Sequence, residues 1–333
     1  RLASNERFTI VPRGGGSGLC GGATADGSVV LNMTRMDKVL EIGRRFVVVQ
    51  SGIILDTLNG RLRKKFMPVQ PASHSMATIG GMISTNAGGE AVLRFGKMSQ
   101  SIISMEVVSG DGRLLKIGRN IGDFCGTEGI TGVVVEAKLK IVPRLPERSV
   151  TVRELSNIRE LVEFVRPLVK DKRVVACEFL NPKMHRMSRG KGSYFLLVEF
   201  IGGAGEIKDK KASARQWRIR ERCYHDLWQG GWRMISDPEI PLRNTERFLR
   251  WCEEQAVPAF GHIGHGIIHV HFRNQRKMDG MYRLVRTLGG KISGEHGIGI
   301  TKKKYLPPSM KMRLRSLKKK YDPGNILNPG KVV

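Results

Sequence analysis

The stretch Pro12-Arg13-Gly14-Gly15-Gly16-Ser17-Gly18-Leu19, which follows an apolar run at 8–11, decides the fold class of the N-terminal part. Its four glycines lack Cβ atoms, so successive backbone N–H groups can turn toward an anion beside Arg13. The stretch therefore predicts a phosphate-binding loop, with a flexible turn as the alternative.

Two common nucleotide-binding folds are excluded by the residues around this loop. Gly16, Gly18 and Gly21 fit the spacing G-x-G-x-x-G, but a Rossmann fold needs a helix next, and a turn at 25–27 follows instead. No Gly-Lys pair precedes a Ser or Thr, so a P-loop is also excluded.

Outward from the loop, residues 9–143 alternate Gly-rich clusters with short β-branched runs, which predicts an α+β region and not a regular βαβ array. Asp-Gly pairs at 26–27 and 111–112 lie between apolar runs and predict tight turns, the second within a hairpin. The predicted strands are 29–31, 47–50, 102–108, 114–117, 133–142 and 194–201, and the predicted helical stretches are 155–165, 208–227 and 309–320.

The composition limits the class of protein. The 333 residues include 57 Lys and Arg against 30 Asp and Glu, a net charge of +27 that attracts polyanions, acidic membranes or small anions. No stretch approaches about eighteen uncharged apolar residues, and the start lacks a signal-peptide pattern, so we expect a soluble or peripheral protein. Five scattered cysteines without a C-x-x-C pair argue against a disulfide framework, a zinc ribbon and an iron–sulfur cluster, and favour a reducing compartment.

Two further Gly-rich clusters, at 71–89 and 126–133, repeat the theme of the first loop and suggest one long ligand. The motifs PRGGGSG, TIGGMISTNAGG and GTEGITGVVVEAKLKIVP, in this order and spacing, resemble the FAD-binding PCMH-type domain of the vanillyl-alcohol oxidase and p-cresol methylhydroxylase superfamily. The resemblance implies a two-part α/β domain that holds an extended FAD, with an α+β cap over the flavin and a C-terminal helical segment.

The same resemblance implies which residues bind FAD. It assigns Gly14–Gly18 to the pyrophosphate, the second cluster to the flavin and the third to the adenine end. The implied contacts are Pro12, Arg13, Gly14, Gly15, Gly16, Ser17, Gly18, Leu19, Pro71, Ser73, Thr78, Gly80, Gly81, Thr85, Asn86, Gly88, Glu128, Gly129, Gly132 and Val133. The first loop has no His for a covalent flavin link, so we expect noncovalent FAD.

A histidine cluster lies farther along the chain. Four of the eight histidines fall within 262–271, in a Gly-rich run that predicts a turn leading into a strand, with His269 and His271 on one face. Imidazoles together with a carboxylate such as that of Glu295 can bind a divalent metal. The alternative is a set of histidines that are satisfied within the core.

This region resembles the FAD-linked D-2-hydroxyacid dehydrogenases, whose pattern G-H-x-G-D-G-N-x-H matches 261–269 and whose pattern G-E-H-G-I-G is intact at 294–299. The resemblance implies that His262, His269 and Glu295 hold a divalent metal, Zn or Mn, and that His296 is the catalytic base. Two positions depart from the family pattern, because His265 replaces Asp and Ile267 replaces Asn.

The resemblance also implies an Arg that binds the substrate carboxylate, and Arg220 aligns with it. Bidentate geometry suits Arg to this task. A lysine found later in the family is absent, and Arg233 is the expected substitute. The alternative for any Arg in so basic a region is a solvated surface charge.

The expected domains are a PCMH-type FAD-binding domain at 1–143, a cap or substrate domain at 144–255 and a C-terminal FAD-linked oxidase segment at 256–333. The first subdomain and the cap are shorter than in the family, so we expect either a truncated chain or a partner that supplies the rest.

The leading hypothesis is FAD-dependent oxidation of a small D-2-hydroxy acid to the 2-oxo acid, with electrons passed to a separate acceptor. The alternative is a catalytically altered FAD-binding subunit of a larger redox complex. The alkylglycerone-phosphate synthase branch is disfavoured because its adjacent histidines are not matched, and no motif indicates specific nucleic-acid binding. We expect a cytoplasmic protein, with peripheral contact at the inner face of the membrane.

The charge is concentrated near the C-terminus. Residues 272–320 hold fifteen Lys and Arg against Asp279 and Glu295. This excess favours docking of an acidic or electron-accepting partner subunit through Lys302–Lys304 and Lys318–Lys320, with a solvated helix face as the alternative.

Overall fold

The computed structural model describes residues 1–188 and 190–333, and these form two compact units. Unit 1 comprises residues 1–89, 96–144 and 295–333, and unit 2 comprises residues 90–95 and 145–294. Each unit combines helices with an antiparallel sheet, which confirms the α+β prediction. The predicted three-domain division stays a prediction.

Unit 1 contains a five-stranded sheet and two small two-stranded sheets. The strands are β1 (Ile10–Arg13), β2 (Val29–Asn32), β3 (Val39–Ile42), β4 (Phe46–Gln50), β5 (Lys65–Phe66), β6 (Ile102–Val108), β7 (Leu114–Ile117), β8 (Val133–Lys140) and β9 (Val142–Pro143). The α-helices are α1 (Leu2–Asn5), α2 (Leu55–Arg61), α3 (Ile79–Thr85), α5 (Met98–Ser101) and α12 (Pro308–Tyr321). The main sheet has the order β3-β4-β8-β6-β7, while β5 pairs with β9.

The core of unit 1 follows from alternation along the central strands. Val47 and Val49 on β4 and Ala137 and Leu139 on β8 are buried, and they belong to one apolar cluster with the buried face of α3. Since successive side chains of a strand point to opposite faces, this one face of the sheet is covered.

Two turns test the Asp-Gly predictions. Asp111 and Gly112 connect β6 and β7 in an antiparallel hairpin, and Gly112 has φ +78°, as predicted. Gly27 also has positive φ, but the strands that flank its turn, β1 and β2, pair in parallel. The chain from 14 to 28 is therefore a crossover, which leaves the glycine loop at the end of β1.

Unit 2 is built on a six-stranded antiparallel sheet of order β10-β12-β11-β14-β15-β13. The strands are β10 (Arg148–Leu155), β11 (Val174–Leu180), β12 (Tyr194–Ile201), β13 (Met234–Ser236), β14 (Ala259–His262) and β15 (Ile267–Phe272). The α-helices are α4 (Val92–Phe95), α6 (Ile158–Leu168), α7 (Pro182–Met187), α8 (Lys210–Glu221), α9 (Cys223–Gln229), α10 (Thr245–Glu254) and α11 (Gln275–Thr287).

Local sequence signals explain the helices of unit 2. Asn157 and Asp209 accept a backbone hydrogen bond at the N-termini of α6 and α8, as N-cap residues do. All residues of β11 are buried, and so are those of β14 and β15, so these strands are covered on both faces. A charged side chain on any of them requires a partner.

No helix in the described ranges 1–188 and 190–333 has both the length and the apolar character needed to cross a bilayer.

Candidate functional site

The glycine loop lies at the end of β1, in unit 1. Among the described residues, the backbone N–H groups of residues 14–19 donate no hydrogen bond to protein. The side chain of Arg13 lies over the loop, because a Cβ atom on Gly16 would be 2.6 Å from its Nη2 atom. Unbonded N–H groups beside a guanidinium form a site that suits an anion.

Close backbone contact explains two of these glycines. A Cβ atom on Gly14 would lie 2.0 Å from Oγ1 of Thr78, and one on Gly15 would lie 1.8 Å from the carbonyl oxygen of Met76. The Thr78 hydroxyl also accepts a hydrogen bond from the N–H of Gly81 and so caps α3. Unit 1 thus brings the first and second glycine clusters together.

The third cluster also meets the first within unit 1, since a Cβ atom on Gly129 would lie 3.4 Å from Pro12. Glu128 has φ +53°, and its carboxylate accepts hydrogen bonds from the N–H groups of Ile298 and Gly299. In the structure the Glu128 side chain therefore holds residues 297–299 in place. Its implied contact with the adenine end of FAD stays a prediction.

The remaining residues with an implied FAD contact also belong to unit 1. Asn86 ends α3 with φ +52° and accepts a hydrogen bond from the N–H of Ser99. Gly132 packs so closely that a Cβ atom would lie 2.3 Å from Val107. The others lie in the loop before α3, in α3, directly after it, or at the start of β8: Pro71, Ser73, Gly80, Thr85, Gly88 and Val133.

In unit 2, strand register gathers charged and polar side chains on one face of the sheet. Phe260 pairs with His269, and His262 pairs with Ile267, so all four side chains share a face, with His271 two residues along β15. This face of the sheet is called the histidine face. The predicted turn and strand are confirmed, and His269 and His271 share a face as expected. The rings of His262 and His269 have centroids 5.5 Å apart.

Glu178 on β11 lies at the centre of this face and is fully buried. Oε1 of Glu178 is 2.6 Å from Nδ1 of His262, and Oε2 accepts a 2.7 Å hydrogen bond from Nε of Arg220. Burial acts to raise the pKa of Glu178, but the charges of His262 and Arg220 outweigh it and hold the pKa below its ordinary value.

Arg220 is buried, so it is not the solvated surface charge of the alternative prediction. It lies on α8 with its guanidinium 4.6 Å from the ring centroid of Phe260. Arg233, the expected substitute for the family lysine, is exposed and lies over the ring of Trp228. Only the first of these two arginines shares the histidine face.

Tyr224, one turn after Arg220, covers the same face. Its hydroxyl is 3.4 Å from Nδ1 of His269, and its ring contacts those of Phe260 and His271. Nδ1 of His271 donates a hydrogen bond to the carbonyl of Trp232. Each of the three histidines on this face is therefore oriented through Nδ1.

Glu90, in the short segment of unit 2 that carries α4, adds a half-buried carboxyl. Burial, followed by the charge of Glu178, raises its pKa to about 7. Arg220 and His262 act in the opposite direction. This carboxyl therefore changes charge near neutral pH.

Glu295 and His296 follow Gly294, the last residue of unit 2, and begin the final segment of unit 1. Nε2 of His296 is 3.5 Å from Oε1 of Glu295, and both side chains are mostly buried. The ammonium of Lys302, itself buried, donates to the carbonyl of Gly297.

Lys302 is thus a correction to the predicted docking surface, because a side chain that is 1% exposed and bonded to backbone is not available to a partner. Lys303 donates to the carbonyl of Gly330, and Lys318 pairs with Asp322. The exposed cations between residues 302 and 320 are Lys304, Arg313, Arg315, Lys319 and Lys320.

Three site residues were missed by sequence reasoning: Glu178, Tyr224 and Glu90. For Glu178 a signal existed, since it is the one charged residue within the otherwise apolar run of residues 174–180. A charge in a buried strand must be paired and so marks a site. Tyr224 and Glu90 have no comparable signal in their surroundings.

Two family models match the chain. The model described as "FAD binding domain" matches residues 1–118, and the model described as "FAD linked oxidases, C-terminal domain" matches residues 195–332. The first contains the glycine loop, and the second contains Arg220, His262, His269 and His271.

Several curated proteins are similar over the whole chain. D-2-hydroxyglutarate dehydrogenase of Xanthomonas citri pv. viticola is 29% identical over 409 aligned positions, which cover 100% of this chain and 85% of that protein. D-lactate dehydrogenase of Archaeoglobus fulgidus is 27% identical, with 100% and 88% covered, and glycolate oxidase subunit GlcD of Bacillus subtilis is 28% identical, with 99% and 85% covered.

Among solved structures, an alkyldihydroxyacetonephosphate synthase in crystal form P212121 aligns with a TM-score of 0.68 and 17% identity. The alignment covers 99% of this chain and 73% of that one. At this identity the likeness concerns the fold.

Proposed function

We propose that this chain acts as an FAD-linked oxidase and oxidises a small D-2-hydroxy acid to the 2-oxo acid; matches to the models of an FAD binding domain and of the C-terminal domain of FAD linked oxidases support this. The observation that carries the proposal is the buried face of unit 2, where Arg220 and His262 share the carboxylate of Glu178. A guanidinium can bind the substrate carboxylate through paired hydrogen bonds. An imidazole can hold a cation, and that cation can contact the neighbouring hydroxyl of the substrate.

The residues of unit 1 fit FAD. The unbonded N–H groups of residues 14–19, with Arg13 beside them, match the charge of a pyrophosphate. Bound FAD would supply an acceptor for the hydride of the substrate Cα, and loss of the hydroxyl proton to a base would then leave a carbonyl group.

Within this proposal, Arg220, His296 and Tyr224 have separate tasks. Arg220 binds the substrate carboxylate through its Nη atoms, because its Nε–H is already bonded to Glu178. His296 takes the hydroxyl proton, and the adjacent carboxylate of Glu295 stabilises the imidazolium that forms. Tyr224 and Phe260 cover the face and limit the access of water.

We further propose that His262, His269 and Glu295 hold a divalent cation. Two buried imidazoles and a carboxylate are ligands that suit Zn or Mn. Nδ1 of His262 is bonded to Glu178, so any cation that this ring binds is bound through Nε2. A cation in such a site would polarise the substrate hydroxyl.

The test is anaerobic addition of D- and L-2-hydroxy acids to the yellow protein. We expect a D isomer to bleach the flavin absorption and its L isomer to leave it unchanged. Yellow protein that no D-2-hydroxy acid bleaches would instead support the catalytically altered FAD-binding subunit. Ile267, fully buried at the position where the family has Asn, is the observation that favours that second candidate.

FAD is proposed to be noncovalent. Acid precipitation should then release all of the yellow chromophore into the supernatant, and colour that stays in the pellet would contradict this.

The electron acceptor is proposed to be a separate acidic subunit, or a quinone at the inner face of the membrane, with the protein otherwise cytoplasmic. The exposed cations Lys304, Lys319 and Lys320 support such docking. Because salt screens exposed charges over about 8–10 Å, a complex recovered from extract at low salt should dissociate at high salt. Recovery of the same partner at both salt concentrations would contradict electrostatic docking.

A further inference from the structure

We propose that Glu178 is the positioning residue of this site, because one carboxylate decides which nitrogen of His262 can bind a cation and which edge of Arg220 can bind substrate. Its two oxygens are 2.6 Å from Nδ1 of His262 and 2.7 Å from Nε of Arg220, and its side chain is fully buried. The role of Glu178 in catalysis rests on the proposed function. Its effect on the His262 tautomer and on the orientation of Arg220 can be tested without measuring turnover.

The first consequence concerns His262. A carboxylate can only accept, so Nδ1 of the neutral ring must carry the proton, and the lone pair is then on Nε2. Carboxylates that hold the N–H of a metal-binding imidazole fix its tautomer and ring orientation and make the other nitrogen more basic. Glu178 lies on β11 and His262 on β14, which are adjacent strands, so the sheet itself sets the distance between the two side chains.

The second consequence concerns Arg220. Its Nε–H points to Oε2 of Glu178, and no other hydrogen bond from its guanidinium exists among residues 1–188 and 190–333. The face of the group lies over Phe260, 4.6 Å from the ring centroid, so its plane is fixed as well. The two Nη atoms are therefore held in place to bind a carboxylate from a 2-hydroxy acid.

The two consequences are linked because the same carboxylate has one oxygen for each partner. Loss of its charge should therefore weaken cation binding and loosen Arg220 together. A carboxylate on this face with a purely structural role would not selectively affect cation binding or the orientation of Arg220.

The matched variants are Glu178→Gln and Glu199→Gln. Glu199 is also buried on the same sheet, but its ion pair is with Arg148 and it makes no hydrogen bond to His262. In calorimetric titrations of the FAD-loaded, metal-stripped protein with Zn²⁺, we expect Glu178→Gln to bind about 10–100-fold more weakly than the parent. Glu199→Gln should bind Zn²⁺ as the parent does, and the flavin spectrum should be the same in all three proteins.

Nuclear magnetic resonance of the parent gives a second measurement that needs no Glu178 variant. The ring nitrogens of His262, identified by the signal lost in His262→Gln, should indicate a proton on Nδ1 in metal-stripped protein. The Arg220 Nε–H signal, identified through Arg220→Lys, should be protected from solvent exchange. If Glu178→Gln fails to fold, these two signals decide the question.

A neutral His262 ring whose proton lies on Nε2, or equal Zn²⁺ affinity in parent and Glu178→Gln, would overturn the inference. Failure of the proposed function would look different. In that case no D-2-hydroxy acid bleaches the flavin, while the tautomer and the Zn²⁺ titrations still follow Glu178.

Discussion

The glycine loop of unit 1 and the histidine face of unit 2 offer different kinds of groups to a charged ligand. The loop presents backbone N–H groups of consecutive residues, 14–19, at the protein surface. The face uses side chains from separate strands and a helix, with Glu178 separated by 42 residues from Arg220 and by 84 from His262. A backbone site tolerates changes of side chain and fails when a Cβ atom appears, whereas a side-chain site fails when one partner is removed.

The largest expected effect separates chemistry from cofactor binding. His296→Ala should lower turnover by roughly 10² to 10⁴, the usual range for loss of a general base, with FAD content unchanged. His74→Ala, which alters an exposed histidine paired with Asp56, is the control and should leave turnover as it was. For both variants, steady-state rates with a D-2-hydroxy acid measure turnover, and the flavin-to-protein ratio measures FAD content. Unchanged turnover in His296→Ala would assign the base to another residue.

The next effect tests the side-chain site. Arg220→Lys keeps the charge but loses the paired N–H geometry, so we expect KM to rise about 10–100-fold, since hydrogen bonds to charged groups contribute about 1.5–3 kcal/mol. The turnover number should change less. Arg233→Lys, an exposed position stacked on Trp228, is the control and should leave KM unchanged. A larger rise in KM for Arg233→Lys would exchange the roles of the two arginines.

The elements that carry these two sites differ in how well the sequence predicts them. Local signals were enough for the strands at 102–108 and 194–201 and for the helices at 210–229, because alternation and charge patterns act over a few residues. The parallel pairing of β1 with β2 was not predictable from the Asp-Gly turn, because pairing direction depends on where the crossover packs.

Side-chain partnerships were the hardest to predict. Arg220 and Lys302 carry the same charge and lie in equally basic stretches, yet both are buried, each against a specific acceptor, Glu178 and the carbonyl of Gly297. No periodicity encodes such contacts, because the acceptor is supplied by tertiary structure. Only the resemblance to a family pointed to Arg220, and nothing in the sequence indicated that Lys302 is buried.

A smaller effect tests the backbone site. A Cβ atom on Gly18 would have no heavy atom within 4 Å, so Gly18→Ala should fold normally, and any loss of FAD affinity reports contact with the cofactor. We expect a loss of about tenfold, equivalent to about 1.4 kcal/mol. Gly118→Ala, equally open, is the control. Fluorescence titration of the apoprotein with FAD measures both, and equal affinity in Gly18→Ala and parent would place the pyrophosphate elsewhere.

The smallest expected effect concerns Glu90 and the pH dependence of stability. Burial, then the charge of Glu178, raises the pKa of its carboxyl from 4.5 to about 7. Between these two values the folded state binds the proton and the unfolded state does not, so stability falls as pH rises through this window and the penalty is complete above pH 7. Glu90→Gln removes the charge and with it the penalty. Its melting temperature should therefore exceed that of the parent at pH 8, by about 2–4 °C for each 1 kcal/mol of penalty removed, and should differ little from it at pH 5.

The melting curves that test Glu90 should be measured in a chelator, because a bound cation nearby would lower the same pKa by attraction. Glu163→Gln, on the exposed surface of α6, is the control and should give the same shift at both pH values. A gain for Glu90→Gln that is equal at pH 5 and pH 8 would mean that packing, and not the charge on this carboxyl, limits the stability of the histidine face.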